Sequence, residues 1–153
     1  MKVYLVRHGK ALPPATDPAQ PLSEEGRSDI SHLARTLRNM NFSVELIVHS
    51  GKLRAEETAK IIADSINPSK GIKAVKGLAP KDDITEALKI IEAQHGDLMI
   101  VSHLPFLEHL LEAMVKPEGS EELPAFDIGN VIGLEKSGER WQVFRHLGPK
   151  MIL

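Results

Sequence analysis

Cysteine is absent from this sequence of 153 residues. That excludes disulfides, thiolate metal sites and a cysteine nucleophile. Long hydrophobic runs are missing too. No apolar stretch approaches the ~20 residues of a membrane-spanning helix, and no secretory pattern precedes the first strand-like segment. The expectation is a cytoplasmic protein without membrane contact. Nor does one charge dominate: 19 basic and 21 acidic side chains leave a formal net charge of -2. Nothing here forms the basic footprint of a nucleic-acid binder. Repeats, low-complexity tracts and linkers are also lacking. What is present is an ordinary globular balance, 42% apolar and 26% charged. At this length the chain reads as a single domain over residues 1–153 with a proper core.

The organising stretch is Val3-Tyr4-Leu5-Val6-Arg7-His8-Gly9. Val3 to Val6 is too short for a helix and suits a strand buried on both faces. It stops abruptly at a guanidinium and an imidazole, for which burial gives no reason. Gly9 permits a sharp turn or a close approach to a ligand. Two later strands repeat the pattern: Val44 to Val48 runs into His49-Ser50-Gly51, and Leu98 to Val101 into Ser102-His103.

Between them the chain alternates. Residues 11–21 hold four prolines and read as a surface loop. Ser23 and Glu24-Glu25 suit the start of a helix over 24–39, with Ile30, Leu33, Ala34 and Leu37 on one face. A helix over 52–66 is stopped by Asn67-Pro68. Ile72 to Val75 forms a short strand, and Asp83-Ile84-Thr85-Glu86 has the spacing of a capping box for a third helix. Pro105 fits the first turn of a fourth helix through Met114, and 117–124 is loop. Residues 126–134 and 141–147 alternate as two strands joined at Ser137-Gly138. This order argues an α/β sandwich with a mainly parallel sheet and an antiparallel edge. Right-handed crossovers bring the strands' carboxyl ends to one side, where open sheets of this kind bind ligands.

Arg7, His8, Ser50, Arg54 and His103 all fall at that side. Two guanidiniums can grip a tetrahedral oxyanion through paired, charge-assisted hydrogen bonds. A helix start near Ser50–Arg54 adds free backbone N–H groups. Two histidines supply a neutral nucleophile and a cationic donor. The set is a phosphate-handling site that contains a nucleophile.

These residues carry a resemblance. Arg7-His8-Gly9, Leu22-Ser23-Glu24-Glu25-Gly26-Arg27, the run Ser50-Gly51-Lys52-Leu53-Arg54-Ala55-Glu56-Glu57-Thr58-Ala59, and Val101-Ser102-His103-Leu104-Pro105 look like the histidine phosphatase superfamily. The short length and the Leu78-Ala79-Pro80 loop resemble its SixA-type phosphohistidine phosphatases. The resemblance implies a three-layer, phosphoglycerate mutase-like sandwich and a hydrolase that needs no cofactor and no metal. It implies that His8 attacks phosphorus, that Arg7, Arg54 and His103 bind the phosphoryl oxygens, and that water then hydrolyses the phosphohistidine enzyme. Ser50 either touches the phosphate or caps the helix. The implied substrate is phosphohistidine on a partner protein. The alternative is a small phosphate ester, and a silent phosphate-binding module is disfavoured because binding alone does not require His8.

Two features depart from the superfamily's pattern. Ser102 and Leu104 flank His103 where glycine or asparagine is common, which suggests a more apolar mouth. No carboxylate is an obvious general acid; Asp82 and Asp83 are the candidates, Asp83 reading better as a helix cap. His32, His95, His109 and His146 read as surface or edge residues, and His49 as support for its strand end. Lys10 and Lys52 lie near the mouth, and Arg27 is placed to anchor the proline loop.

Overall fold

In the computed structural model, which describes residues 1–116 and 122–149, the apolar runs become strands of one six-stranded sheet. In chain order the elements are β1 (Lys2–Arg7), α1 (Glu24–Asn39), β2 (Leu46–His49), α2 (Leu53–Ile66), β3 (Ile72–Ala74), α3 (Thr85–Ala93), β4 (Leu98–Ser102), α4 (Phe106–Val115), β5 (Val131–Ser137) and β6 (Arg140–Leu147). The strand order is β3-β2-β4-β1-β5-β6. β1 to β4 run parallel, β5 is antiparallel to β1, and β6 is antiparallel to β5. The expected parallel sheet with an antiparallel edge is what forms.

Strand periodicity explains the layers, because alternate side chains point to opposite faces. Val3 and Leu5 of β1, Leu98 and Ile100 of β4, and Ile132 and Leu134 of β5 meet Ile91 of α3 and Phe106, Leu107 and Leu110 of α4. Tyr4, Val6, Met99, Val101 and Val131 meet Ile30, Leu33 and Leu37 of α1 and Ala55, Ala59 and Ile62 of α2. Helices therefore cover both faces of β1 and β4, whose interior residues are fully apolar for that reason.

Several boundaries differ from the sequence reading. Val44 is buried but lies outside β2, which reaches His49 instead of stopping at Val48. β3 ends at Ala74 rather than Val75. The strand expected over 126–134 begins only at Val131 and runs to Ser137, so the hairpin turns at Gly138-Glu139. Residues 126–130 instead curl at Gly129, whose φ is +74°, and the N–H of Gly129 reaches the carbonyls of Arg7 and His8 at 3.1 and 3.2 Å. The capping box also fails to form. Ile84 is the N-cap of α3, while Asp83 accepts the Thr85 N–H at 2.8 Å in the turn before it. α4 starts at Phe106 with Pro105 as its N-cap. Of the loop expected over 117–124, residues 117–121 lie outside the described residues, and 122–124 have no regular structure.

Candidate active site

The strand ladder itself carries β1's polar end to its place. Arg7 pairs with Ser102 across β1 and β4, and one step later the His8 N–H donates to the Ser102 carbonyl at 3.1 Å. That register sets His8 beside His103, with ring centroids 4.9 Å apart and planes inclined at 55°. Gly9 is buried, and a side chain there would meet Ile30 of α1 at 2.6 Å. Glycine serves close packing at this position, where the sequence suggested a turn or a ligand. The Gly9 N–H donates to Thr58 Oγ1 at 3.0 Å, and the Thr58 hydroxyl donates to the Arg54 carbonyl at 2.8 Å. Thr58 thus ties the residues around His8 to the helix that bears Arg54.

The hydrogen-bond pattern fixes the state of His8. Its Nδ1 lies 2.7 Å from the Gly9 carbonyl oxygen, which can only accept. Nδ1 therefore carries the proton, and Nε2 presents a bare lone pair. Burial holds the His8 pKa down at about 4, with smaller contributions from the cations Arg54 and Arg7 and partial opposition from the Gly9 carbonyl. His103 is buried more deeply and sits at about 3, through burial first and then His8, Arg54 and Lys52. Both imidazoles are neutral at neutral pH, so the cationic donor expected of one histidine does not form, because burial among cations disfavours its charge.

Arg7 donates from Nη1 to the Phe126 carbonyl at 2.9 Å, while its Nε is buried without a hydrogen-bond partner among the described residues. Burial lowers the pKa of Arg54. Among the described residues no carboxylate pairs with either guanidinium; the ion pairs that form lie elsewhere, as Lys10–Glu25, Arg27–Glu57, Lys60–Glu56, Lys70–Glu45 and Lys89–Glu86. Two unneutralised guanidiniums beside two neutral imidazoles make a receptor for an anion with a nucleophile at its centre. No cluster of three or more His, Cys, Asp or Glu side chains suited to a metal assembles among the described residues.

All five residues singled out in the sequence, Arg7, His8, Ser50, Arg54 and His103, come together here. Ser50 does not cap α2. Lys52 is the N-cap, without a side-chain hydrogen bond, and Ser50 Oγ lies 2.6 Å from His103 Nε2. Asp82 and Asp83 do not join them: both are exposed, and Asp82 accepts the Ala79 N–H at 2.9 Å. Leu104 is half-buried and packs in part against the core on the α3 and α4 side. Lys10 is held at 2.7 Å by Glu25. His49 supports its strand end as expected, accepting the Gly51 N–H at 3.1 Å. His32, His95 and His109 are exposed, and His146 accepts from the Asn130 amide at 2.9 Å.

Two supporting residues had no role in the sequence reading. Thr58 lies one turn beyond Arg54 on the same helix face, and that spacing was the available signal. Glu57 binds the Leu22 N–H at 2.8 Å and also the Arg27 guanidinium. It thereby pins the end of the proline loop to α2, the anchoring task expected of Arg27 with the partner now identified.

Residues 3–79 match the family model of the histidine phosphatase superfamily (branch 1). Over 151 residues the chain is 26% identical to the phosphohistidine phosphatase SixA of Escherichia coli (strain K12), covering 94% of this chain and 93% of that protein. The structure of the protein histidine phosphatase SixA complexed with tungstate aligns at a TM-score of 0.83 and 23% identity over 97% of each chain. A phosphoglycerate mutase from Bacillus anthracis aligns at a TM-score of 0.73 and 15% identity, over 94% of this chain and 91% of that one. At such identities the two structures establish a common fold.

Proposed function

The chain belongs to the histidine phosphatase superfamily, and on that premise we propose that it hydrolyses phosphohistidine on a partner protein, with His8 as nucleophile. The observation that carries the reading is the pair of guanidiniums, with no carboxylate partner among the described residues, flanking a neutral imidazole whose Nε2 lone pair is bare. The likeness to a phosphohistidine phosphatase over nearly the full length of both chains supports it.

In the first step His8 Nε2 forms a bond to phosphorus as the bond from phosphorus to the substrate's imidazole nitrogen breaks. Arg7, Arg54 and His103 hold the phosphoryl oxygens and stabilise charge that spreads over them in the transition state. The departing imidazole takes a proton from water, which is easy for a group that titrates near pH ~6.5. Water then attacks phosphorus, releases inorganic phosphate and restores His8. The only carboxylates that the sequence offered as acids, Asp82 and Asp83, are exposed and engaged in local turns. A phosphoramidate tolerates that arrangement, whereas an alkyl ester needs its leaving oxygen protonated. A cleft of about 720 Å³ lies on one side of Arg7, walled by Lys10, Glu25, Asp29, Asp127 and His146 and not by His8, Arg54 or His103.

The test is kcat/KM on phosphohistidine-labelled protein, an aryl phosphate and an alkyl phosphate. Rates should fall in that order, and a non-acidic quench should trap phosphate on His8. In His8→Ala turnover should vanish while tungstate still binds. A fast alkyl phosphatase, or an active His8→Ala, would overturn the reading.

A further inference from the structure

We infer that Lys52 is a specificity residue whose ammonium pairs with an acidic side chain beside the phosphohistidine of the partner protein. The inference rests on the phosphatase reading above and names a feature of the substrate that the phosphoryl group does not carry.

The argument begins with a residue that its own position does not favour. Lys52 is the N-cap of α2, in the extended backbone conformation (φ -66°, ψ 140°) usual there. Serine, threonine, aspartate or asparagine at an N-cap accepts a backbone N–H, and a cation there meets the positive end of the helix dipole. Lys52 makes no such side-chain bond. No ion pair compensates. Among the described residues no carboxylate pairs with Lys52, and Glu56, one turn along the helix, is engaged by Lys60 at 3.7 Å. Its charge also adds to a site that already gathers Arg7 and Arg54, and it helps to lower the pKa of His103. Local energetics give no reason for a lysine here.

The surroundings supply one. Ser50 Oγ lies 3.3 Å from the Lys52 backbone nitrogen and 2.6 Å from His103 Nε2, so Lys52 stands two contacts from the ring. It is exposed, and Gly51 before it turns at φ +87° with no heavy atom within 4 Å of where a Cβ would sit. This corner is therefore an open rim of the site. Lys10, the other lysine near the mouth, is held by Glu25 at 2.7 Å. An exposed ammonium is a strongly hydrated point charge on a flexible stem, suited to a carboxylate arriving from solvent. The cleft on one side of Arg7 carries Glu25, Asp29 and Asp127 instead, and Lys52 does not line it. A docked segment thus meets carboxylates in that cleft and a cation at the start of α2, and a preference for acidic sequence at one flank belongs to Lys52.

The test uses phosphohistidine peptides that carry Glu or Gln at each flank of the phosphohistidine in turn. The readout is the ratio of kcat/KM for the Glu peptide over the Gln peptide, in which any effect on the phosphoryl step cancels. At one flank the wild type should favour Glu about 2- to 5-fold, the scale of one exposed ion pair, and high salt should erase the preference. Lys52→Gln should bring the ratio to about 1, and Lys52→Glu should reverse it. The Tm of Lys52→Gln should match the wild type, since neither a cap nor an ion pair is lost. Ratios that are the same in all three proteins would overturn the inference. So would an equal loss on every peptide, which marks an ammonium that serves the phosphoryl group alone. Either result in a wild type that hydrolyses the peptides leaves the phosphatase reading standing. A wild type that hydrolyses none of them removes that reading and the role of Lys52 with it.

Discussion

Acid should unfold this protein sooner than its carboxylates alone would, because two histidines, His103 buried and His8 half-buried, must be kept neutral. His8 and His103 sit at about 4 and about 3, against an ordinary value of 6.5. As pH falls, the unfolded chain takes up a proton at each position before the folded protein does. Their contribution to stability is therefore whole above ~6.5 and is lost as pH drops towards the folded-state values. At about 1.4 kcal/mol per pH unit, the gap from 6.5 to about 4 makes the loss at His8 on the order of 3 kcal/mol, with a comparable or larger loss at His103. A total of roughly 5 kcal/mol near pH ~4.5 would rival the whole stability of many small domains. The assay is urea unfolding from about pH 7.5 down to about 4.5 for the wild type, His8→Gln, His103→Gln and the double variant. Glutamine does not titrate, so each single variant should flatten the curve by about 2–3 kcal/mol over that span, and the double variant should flatten it most. A constant offset from altered packing cancels in the comparison. Parallel curves for all four proteins would refute the reasoning and show that both rings are as solvated folded as unfolded.

Arg7→Ala and Arg54→Ala should each lower kcat about 10²–10³-fold, the scale of losing one oriented donor. Lys10→Ala should do far less, since that amine is exposed and held by Glu25, and its effect should fade in high salt; equal losses would place the phosphate elsewhere. Thr58→Val strips the buried Gly9 N–H of its acceptor and should cost about 1–3 kcal/mol of stability together with activity, whereas Thr58→Ser should be near wild type. A silent Thr58→Val in both unfolding and kinetic assays would remove Thr58 from the support of His8. Asp82→Asn keeps an oxygen for the Ala79 N–H and should leave phosphohistidine hydrolysis unchanged; a loss confined to alkyl esters would identify Asp82 as an acid.

The site was legible in the sequence wherever burial and polarity contradict each other. Arg7-His8 and Ser102-His103 end fully apolar strands, and a core strand has no use for such residues unless its end is a workplace. The sheet followed from the same runs, since β1 and β4 are covered on both faces. Illegible features depended on partners far away in the chain. Phe126 and Ile128 alternate as in a strand, yet the Phe126 carbonyl is taken by Arg7, more than a hundred positions earlier. Ser50 looked equally like a cap and a phosphate ligand because its true neighbour, His103, lies 53 positions on. Asp83 has ideal capping spacing, and a bond to the residue two ahead consumed it instead.

The proline loop is closed at its base. Ala11 bridges to Leu22, the Leu12 N–H reaches the Pro21 carbonyl at 2.8 Å, and the Ser23 N–H reaches the Lys10 carbonyl at 2.9 Å. Below that stem Gly26 abuts the Lys10 carbonyl so closely that an added Cβ would sit 2.1 Å from it. The tip between Pro13 and Gln20 is thereby mechanically insulated from His8. Doubling the length of a flexible loop costs only about 0.6 kcal/mol in closure entropy. Selection can rewrite that tip, or splice a larger cap into it, without disturbing the chemistry a few residues away. The stem lets the length and sequence of this tip vary independently of the residues that carry the chemistry.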